Sequence, residues 1–254
     1  MEVIIDGGWA GGLVLSTVRA TGLVVASPIF ARTVPGVGKI ALIVVLGFAF
    51  AHPIDVVTTL EVVSGIGVNA MVGISLGWLT GVLYHAFAAA GGLIDFSGGL
   101  SVGAVFDPST GEREAAYGRM LGLMAAALFL VLGGDLLLIS GLGESVRVIP
   151  LDGSIRLDAG IGRMAAELVG TMMLAAVEIA LPAIAALFLA EMVLGLATRL
   201  VPHFNAFLVG LPAKVLLSIA MVAIVVVSMP TFVDGLFDHT ARIISDTIAG
   251  LRTQ

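Results

Sequence analysis

With 254 residues, 59% of them apolar and only 12% charged, and a mean hydropathy of +1.13, the chain lies far from soluble proteins, which are about 45 to 50% apolar and about 25% charged. A single-domain integral membrane protein spanning residues 1–254 is expected. The net charge of -6 argues against nucleic acid as a partner, since that requires clustered Lys and Arg, and the absence of cysteine removes disulfides, thiolate nucleophiles and thiolate metal sites together.

The amino terminus, MEVIIDGGWAGG, lacks the positive region and cleavage pattern of a removable signal, so its first apolar segment is expected to be retained. Apolar segments follow at about residues 10–31, 40–51, 62–94, 120–141, 161–190 and 204–230. None is an ideal span of roughly 20 uninterrupted residues. Pro28 cuts the first, the second is short, Pro182 interrupts the fifth, and Pro202, Pro212 and Pro230 punctuate the last. A helix broken in lipid frees backbone groups that only protein or water can satisfy, so broken segments imply burial in an assembly or beside a cavity. Arg32 and Lys39 after the first segment, against Glu2 and Asp6 before it, favour an outside amino terminus.

Asn69, Gly73, Gly77, Gly81 and His85 recur at four-residue steps in the third segment and form one stripe almost without side-chain bulk. Another helix can approach closely there, either within the chain or from a second subunit. His85 reads as a packing or interface residue. The next stretch, residues 91–119, carries Gly91, Gly92, Gly98, Gly99 and Gly103, each costing a helix about 1 kcal/mol, and then the turn signal Asp107-Pro108-Ser109-Thr110-Gly111. A loop is expected. Leu100, Val102, Val105 and Phe106 make it too apolar for water, and its bare backbone suits protein or a lumen better than lipid.

Signals for chemistry are weak. GVGKIAL fails the phosphate-loop pattern at Thr33 and Ile40. His52, His85, His203 and His239 are scattered without metal-ligand spacing. Asp95 and Asp135 are the one pair compatible with intramembrane aspartyl proteolysis, but the protease signature is incomplete. Charges inside apolar segments say more. In AEMVLGLATRLVPHFNAFLVGLPAKV, Glu191 and Arg199 share a helix face about 12 Å apart along the axis, too far to pair. They, together with Glu178 and Lys214, need counter-charges from another segment or subunit, or water. A stand-alone secondary transporter would also carry broken helices and buried charges, yet the two related halves typical of such proteins are not visible.

The sequence resembles the FliR family of flagellar export-apparatus proteins, called SctT in injectisomes. The resemblance covers almost the whole chain: Arg19, SPIFARTVP, the glycine stripe, GLIDFSGGLSVGAVFDPSTG, LGGDLLLISGL, the ALP ending at Pro182, and above all AEMVLGLATRLVPHFNAFLVGLPAK. Asp135 stands where relatives often carry a histidine or similar polar residue. Membership implies an all-α integral membrane protein whose proline- and glycine-broken helical hairpins pack in a helically staggered export-gate assembly. It implies a non-enzymatic, cofactor-free core subunit of the flagellar gate, or the injectisome counterpart, set in the bacterial inner membrane at the basal body. FliP and FliQ would assemble with it, FlhB would contact it, FlhA would lie nearby, and export substrate polypeptides would pass. Relatives are likened to a FliP-like part joined to a FliQ-like part. By the same resemblance Gly98, Gly99, Leu100, Val102, Gly103, Val105, Phe106, Asp107 and Pro108 form a pore plug. Asn69, Gly73, Gly77 and Gly81 pack helices. Arg19, Glu178, Pro182, Glu191, Arg199, Pro202, Asn205, Pro212 and Lys214 serve assembly.

Overall fold

The computed structural model describes residues 7–54, 59–100, 115–152, 159–201 and 206–252. Eight helices are present among them: α1 (Gly7–Ala26), α2 (Pro28–Thr33), α3 (Gly36–Ala49), α4 (Thr59–Gly98), α5 (Ala116–Val131), α6 (Gly134–Val148), α7 (Ala159–Leu200) and α8 (Ala206–Arg252). No strand occurs among the described residues. In a low-dielectric medium only a helix satisfies every backbone group within one segment, so the all-α architecture follows from the composition. Three helices are long and apolar enough to cross a membrane, and up to five spans result if the two bent pairs, α4 itself and α5 with α6, each count as one.

The chain divides into two compact units. One comprises residues 1–82 and 129–162, the other residues 83–128 and 163–254. In the first unit, Ser27 breaks α1 from α2 with Pro28 at the first helical position, and α1 packs along α3. The fit is close: a Cβ on Gly47 of α3 would collide with Thr17 of α1, and Ser16 Oγ donates to Gly47 O at 2.7 Å. Leu15, Ile54 and Leu151 form a buried cluster with Val146 against it. Gly133, at φ +78°, supplies the left-handed residue that separates α5 from α6.

In the second unit, the later part of α4 packs on α5 through mutual glycine contacts. A Cβ on Gly91 would meet the Tyr117 carbonyl at 2.5 Å, and one on Gly118 would meet Ala88 O at 2.8 Å. Phe87, Ala90, Ile94, Leu121, Leu187, Val222 and Met229 are buried there.

Three expectations are corrected. The expected loop 91–119 is helix at both of its ends, since α4 runs on to Gly98 and α5 begins at Ala116, while residues 101–114 lie outside the described residues. Gly91 and Gly98 are sites of close approach, and tertiary packing outweighs a propensity cost of about 1 kcal/mol each. Nor do Pro182, Pro212 and Pro230 end their helices, since Pro182 lies inside the 42 residues of α7 and Pro212 and Pro230 lie inside the 47 of α8. A proline removes one backbone hydrogen bond at a cost of about 3 kcal/mol, whereas unwinding a turn in lipid would strand several groups at several kcal/mol each. For the same reason the last segment continues past Pro230 to Arg252.

Candidate functional site

The glycine stripe of α4 lies against α1. A Cβ on Gly73 would strike the backbone of Arg19, and one on Gly77 would sit 2.5 Å from Leu23 O and 2.9 Å from the Ala26 Cβ. Reciprocally, a Cβ on Gly22 would reach Ile74 N at 2.8 Å. The atoms met are mostly backbone and cannot rotate away, so two helices touch main chain to main chain. Gly81 is also buried. Beside this seam Thr80 Oγ1 donates to Ser27 Oγ at 2.8 Å, a polar tie between α4 and the start of α2.

Asn69, at the head of the stripe, is fully buried and bonds rather than merely packs. Its Oδ1 accepts from Arg19 Nε at 2.8 Å, while its Nδ2 donates to Leu151 O at 2.8 Å and to Gly65 O at 2.7 Å. Arg19 also donates to Ser145 Oγ at 3.2 Å and to Ile149 O at 2.9 Å. Sequence reasoning singled out both residues but not their link, for they lie 50 positions apart on different helices.

In the second unit Asp95 is buried near the end of α4, and its Oδ2 accepts from Tyr117 N at 3.3 Å in the first turn of α5. Its Oδ1 has no hydrogen-bond partner among the described residues. Tyr117 Oη and Ser218 Oγ of α8 lie 2.9 Å apart, and a Cβ on Gly98 would come within 2.9 Å of the Ser218 Cβ. Gly99, at φ +82°, ends α4. The end of α4 and the start of α5 are thereby fastened to each other and to α8. Of the expected plug, Gly98 is helical, and Gly99 and Leu100 lie just beyond α4, whereas Val102, Gly103, Val105, Phe106, Asp107 and Pro108 lie outside the described residues.

The apolar pair α7 and α8 carries the charges. Lys214 Nζ bonds Glu191 Oε2 at 3.2 Å, so Glu191 meets its counter-charge from another segment of the same chain. Glu178, Arg199, Pro182 and Pro212 are exposed; Pro202 and Asn205 lie outside the described residues. Around the ion pair Phe188, Leu189, Met192, Val193, Leu196 and Leu216 are also exposed. No group of three or more metal-ligating side chains occurs among the described residues. Asp135, in the first turn of α6, is half-buried.

The sequence pattern of the family described as bacterial export proteins, family 1, matches residues 11–240. This chain belongs to that family. Among its relatives, the flagellar biosynthetic protein FliR of Bacillus subtilis is 29% identical over 245 residues, covering 91% of this chain and 92% of that protein. FliR of Escherichia coli is 27% identical over 238 residues, covering 92% and 91%. The surface presentation of antigens protein SpaR of Shigella flexneri is 30% identical over 156 residues, covering 61% and 59%. As a member of the FliR/SctT family, the chain is a membrane component of the flagellar and type III export apparatus.

Proposed function

We propose that this chain is a non-enzymatic core subunit of the flagellar protein export gate in the bacterial inner membrane. It assembles with FliP and FliQ, contacts FlhB with FlhA nearby, and helps form the portal through which export substrates leave the cytoplasm.

One observation carries this reading. The Glu191 carboxylate, with its side chain 68% exposed, and Lys214 stand together on helices whose surrounding faces are apolar and uncovered. An exposed ion pair is unfavourable against acyl chains, while neighbouring protein or a water-filled passage accommodates it. The flagellar system is favoured over the injectisome because FliR of Bacillus subtilis and of Escherichia coli align over more than nine-tenths of the chain and SpaR over 61%. Within the gate, the segment from Leu100 to Pro108 acts as the plug of the channel at rest.

Expression with affinity-tagged FliP and FliQ tests the assignment. Co-purification of all three, with restored swimming in a strain lacking its own FliR, is the expected result. A chain that purifies alone and binds a small solute is a transporter instead, and one that restores only effector secretion is the injectisome counterpart.

A further inference from the structure

Arg19 lies in the middle of a helix apolar enough to cross a membrane, and it is fully buried. A guanidinium there calls for a counter-charge, yet the three acceptors it meets are neutral: the Asn69 amide oxygen, the Ser145 hydroxyl and the Ile149 carbonyl. Two of these belong to the end of α6, where Ser145 sits in the last turn and Ile149 is the C-cap. The unpaired carbonyls of a helix C-terminus carry about half a negative charge.

Asn69 completes the arrangement by facing two ways, accepting from Arg19 and donating to Leu151 O. Four hydrogen bonds thus tie α1, α4, the end of α6 and the turn from Ile149 to Leu151 together. Earlier in α6 the hold is slighter: Leu136, Leu137 and Ile139 are exposed, and a Cβ on Gly141 would meet nothing within 4 Å.

We infer that Arg19 is a positioning residue that takes the C-terminal dipole of α6 as its counter-charge and, with Asn69 as relay, fixes where α6 ends against the α1–α4 seam. The requirement is for a planar fork and an amide, not for charge alone. A lysine keeps the charge but cannot reach three acceptors lying in three directions. An aspartate at position 69 supplies a full counter-charge but cannot donate to Leu151 O. Any consequence for transport rests on the export reading above; the geometry does not.

The chain contains no cysteine, so spin labels can be placed cleanly at Val63 and Arg147, both exposed and both in the first unit. Pulsed electron-electron distances would be measured in the full chain within its purified membrane assembly. The native protein should give one narrow distribution. Arg19→Lys and Asn69→Asp should each broaden it about twofold as the end of α6 loosens, while Ser145→Ala, which removes one of three acceptors, should stay near native. Native widths in both Arg19→Lys and Asn69→Asp would overturn the inference and credit the apolar contacts of Leu151 instead. Swimming separates the two readings. Broadening with lost motility supports both, broadening with full motility keeps the positioning role and shows that export does not depend on it, and lost motility at native width removes the positioning role.

Discussion

Lys214 Nζ lies 3.2 Å from Glu191 Oε2, joining α8 to α7 through an ion pair on an otherwise apolar surface. The lysine is the more sheltered partner, its side chain 17% exposed against 68% for the glutamate. Near the same end Gly210 abuts Leu194, so polar and apolar contacts bind the two helices together where α7 gives way to α8. Glu191→Lys sets two like charges against each other and should lower the yield of the assembled complex roughly fivefold, corresponding to about 1 kcal/mol. The double exchange Glu191→Lys with Lys214→Glu should recover most of that loss. Lack of recovery in quantitative co-purification would mean that each charge has its own partner elsewhere.

Gly77 and Gly67 lie on the same helix but should respond oppositely. A Cβ on Gly77 meets Leu23 O at 2.5 Å, whereas one on Gly67 meets nothing within 4 Å. Gly77→Leu should destabilise by about 1 to 3 kcal/mol through overpacking, with loss of complex and motility. Gly67→Ala should be neutral, or stabilise by up to about 1 kcal/mol through helix propensity. Thermal unfolding of the purified complex measures both, and equal effects would remove the seam as the cause.

Arg199 is exposed in the last turn of α7. If it meets a carboxylate or phosphate in the assembly, Arg199→Leu should impair complex formation, and Arg199→Lys should be milder but still detectable because an ammonium cannot form a bidentate fork. Wild-type behaviour of both in motility and co-purification would reduce the residue to an interfacial anchor.

Asp95 near the end of α4 accepts from Tyr117 N at the start of α5, and Tyr117 Oη lies 2.9 Å from Ser218 Oγ of α8. Deleting Ser101 to Val105 should raise ion conductance of the assembled complex in planar bilayers without preventing assembly, because an apolar constriction excludes water and ions. Cysteines at Phe106 should crosslink to FliP. Conductance equal to wild type at confirmed full assembly would leave the stretch as a connector.

Asp95→Ala should loosen the first turn of α5, where the carboxylate accepts from Tyr117 N, by about 1 kcal/mol. Tyr117→Phe, which removes only the contact to Ser218, should cost about the same. Hydrogen exchange of the α5 amides checks the pair: faster exchange confined to the first turn is expected in Asp95→Ala, and uniform exchange along α5 would deny the carboxylate a local role.

Composition determined the membrane character, and apolar runs long enough for helical spans pointed to helices, because a chain this apolar must satisfy its backbone internally. Four-residue spacing determined the stripe from Asn69 to Gly81, since helical period is a local property. The long ordered block from Ala190 to Lys214 carried the family resemblance. What the sequence could not decide is which surface fills each gap. Gly91 reads as a helix breaker until Tyr117 is packed against it, and Pro182 reads as a stop until the cost of unwinding in lipid is weighed against one lost hydrogen bond. Asn69 reads as a small polar member of a packing stripe until Arg19 and Leu151 converge on it from positions 50 and 82 residues away. Only tertiary structure could pair Glu191 with Lys214 or give Arg19 a helix end as its counter-charge, because local sequence fixes the direction of a side chain and not the neighbour that the fold brings to it.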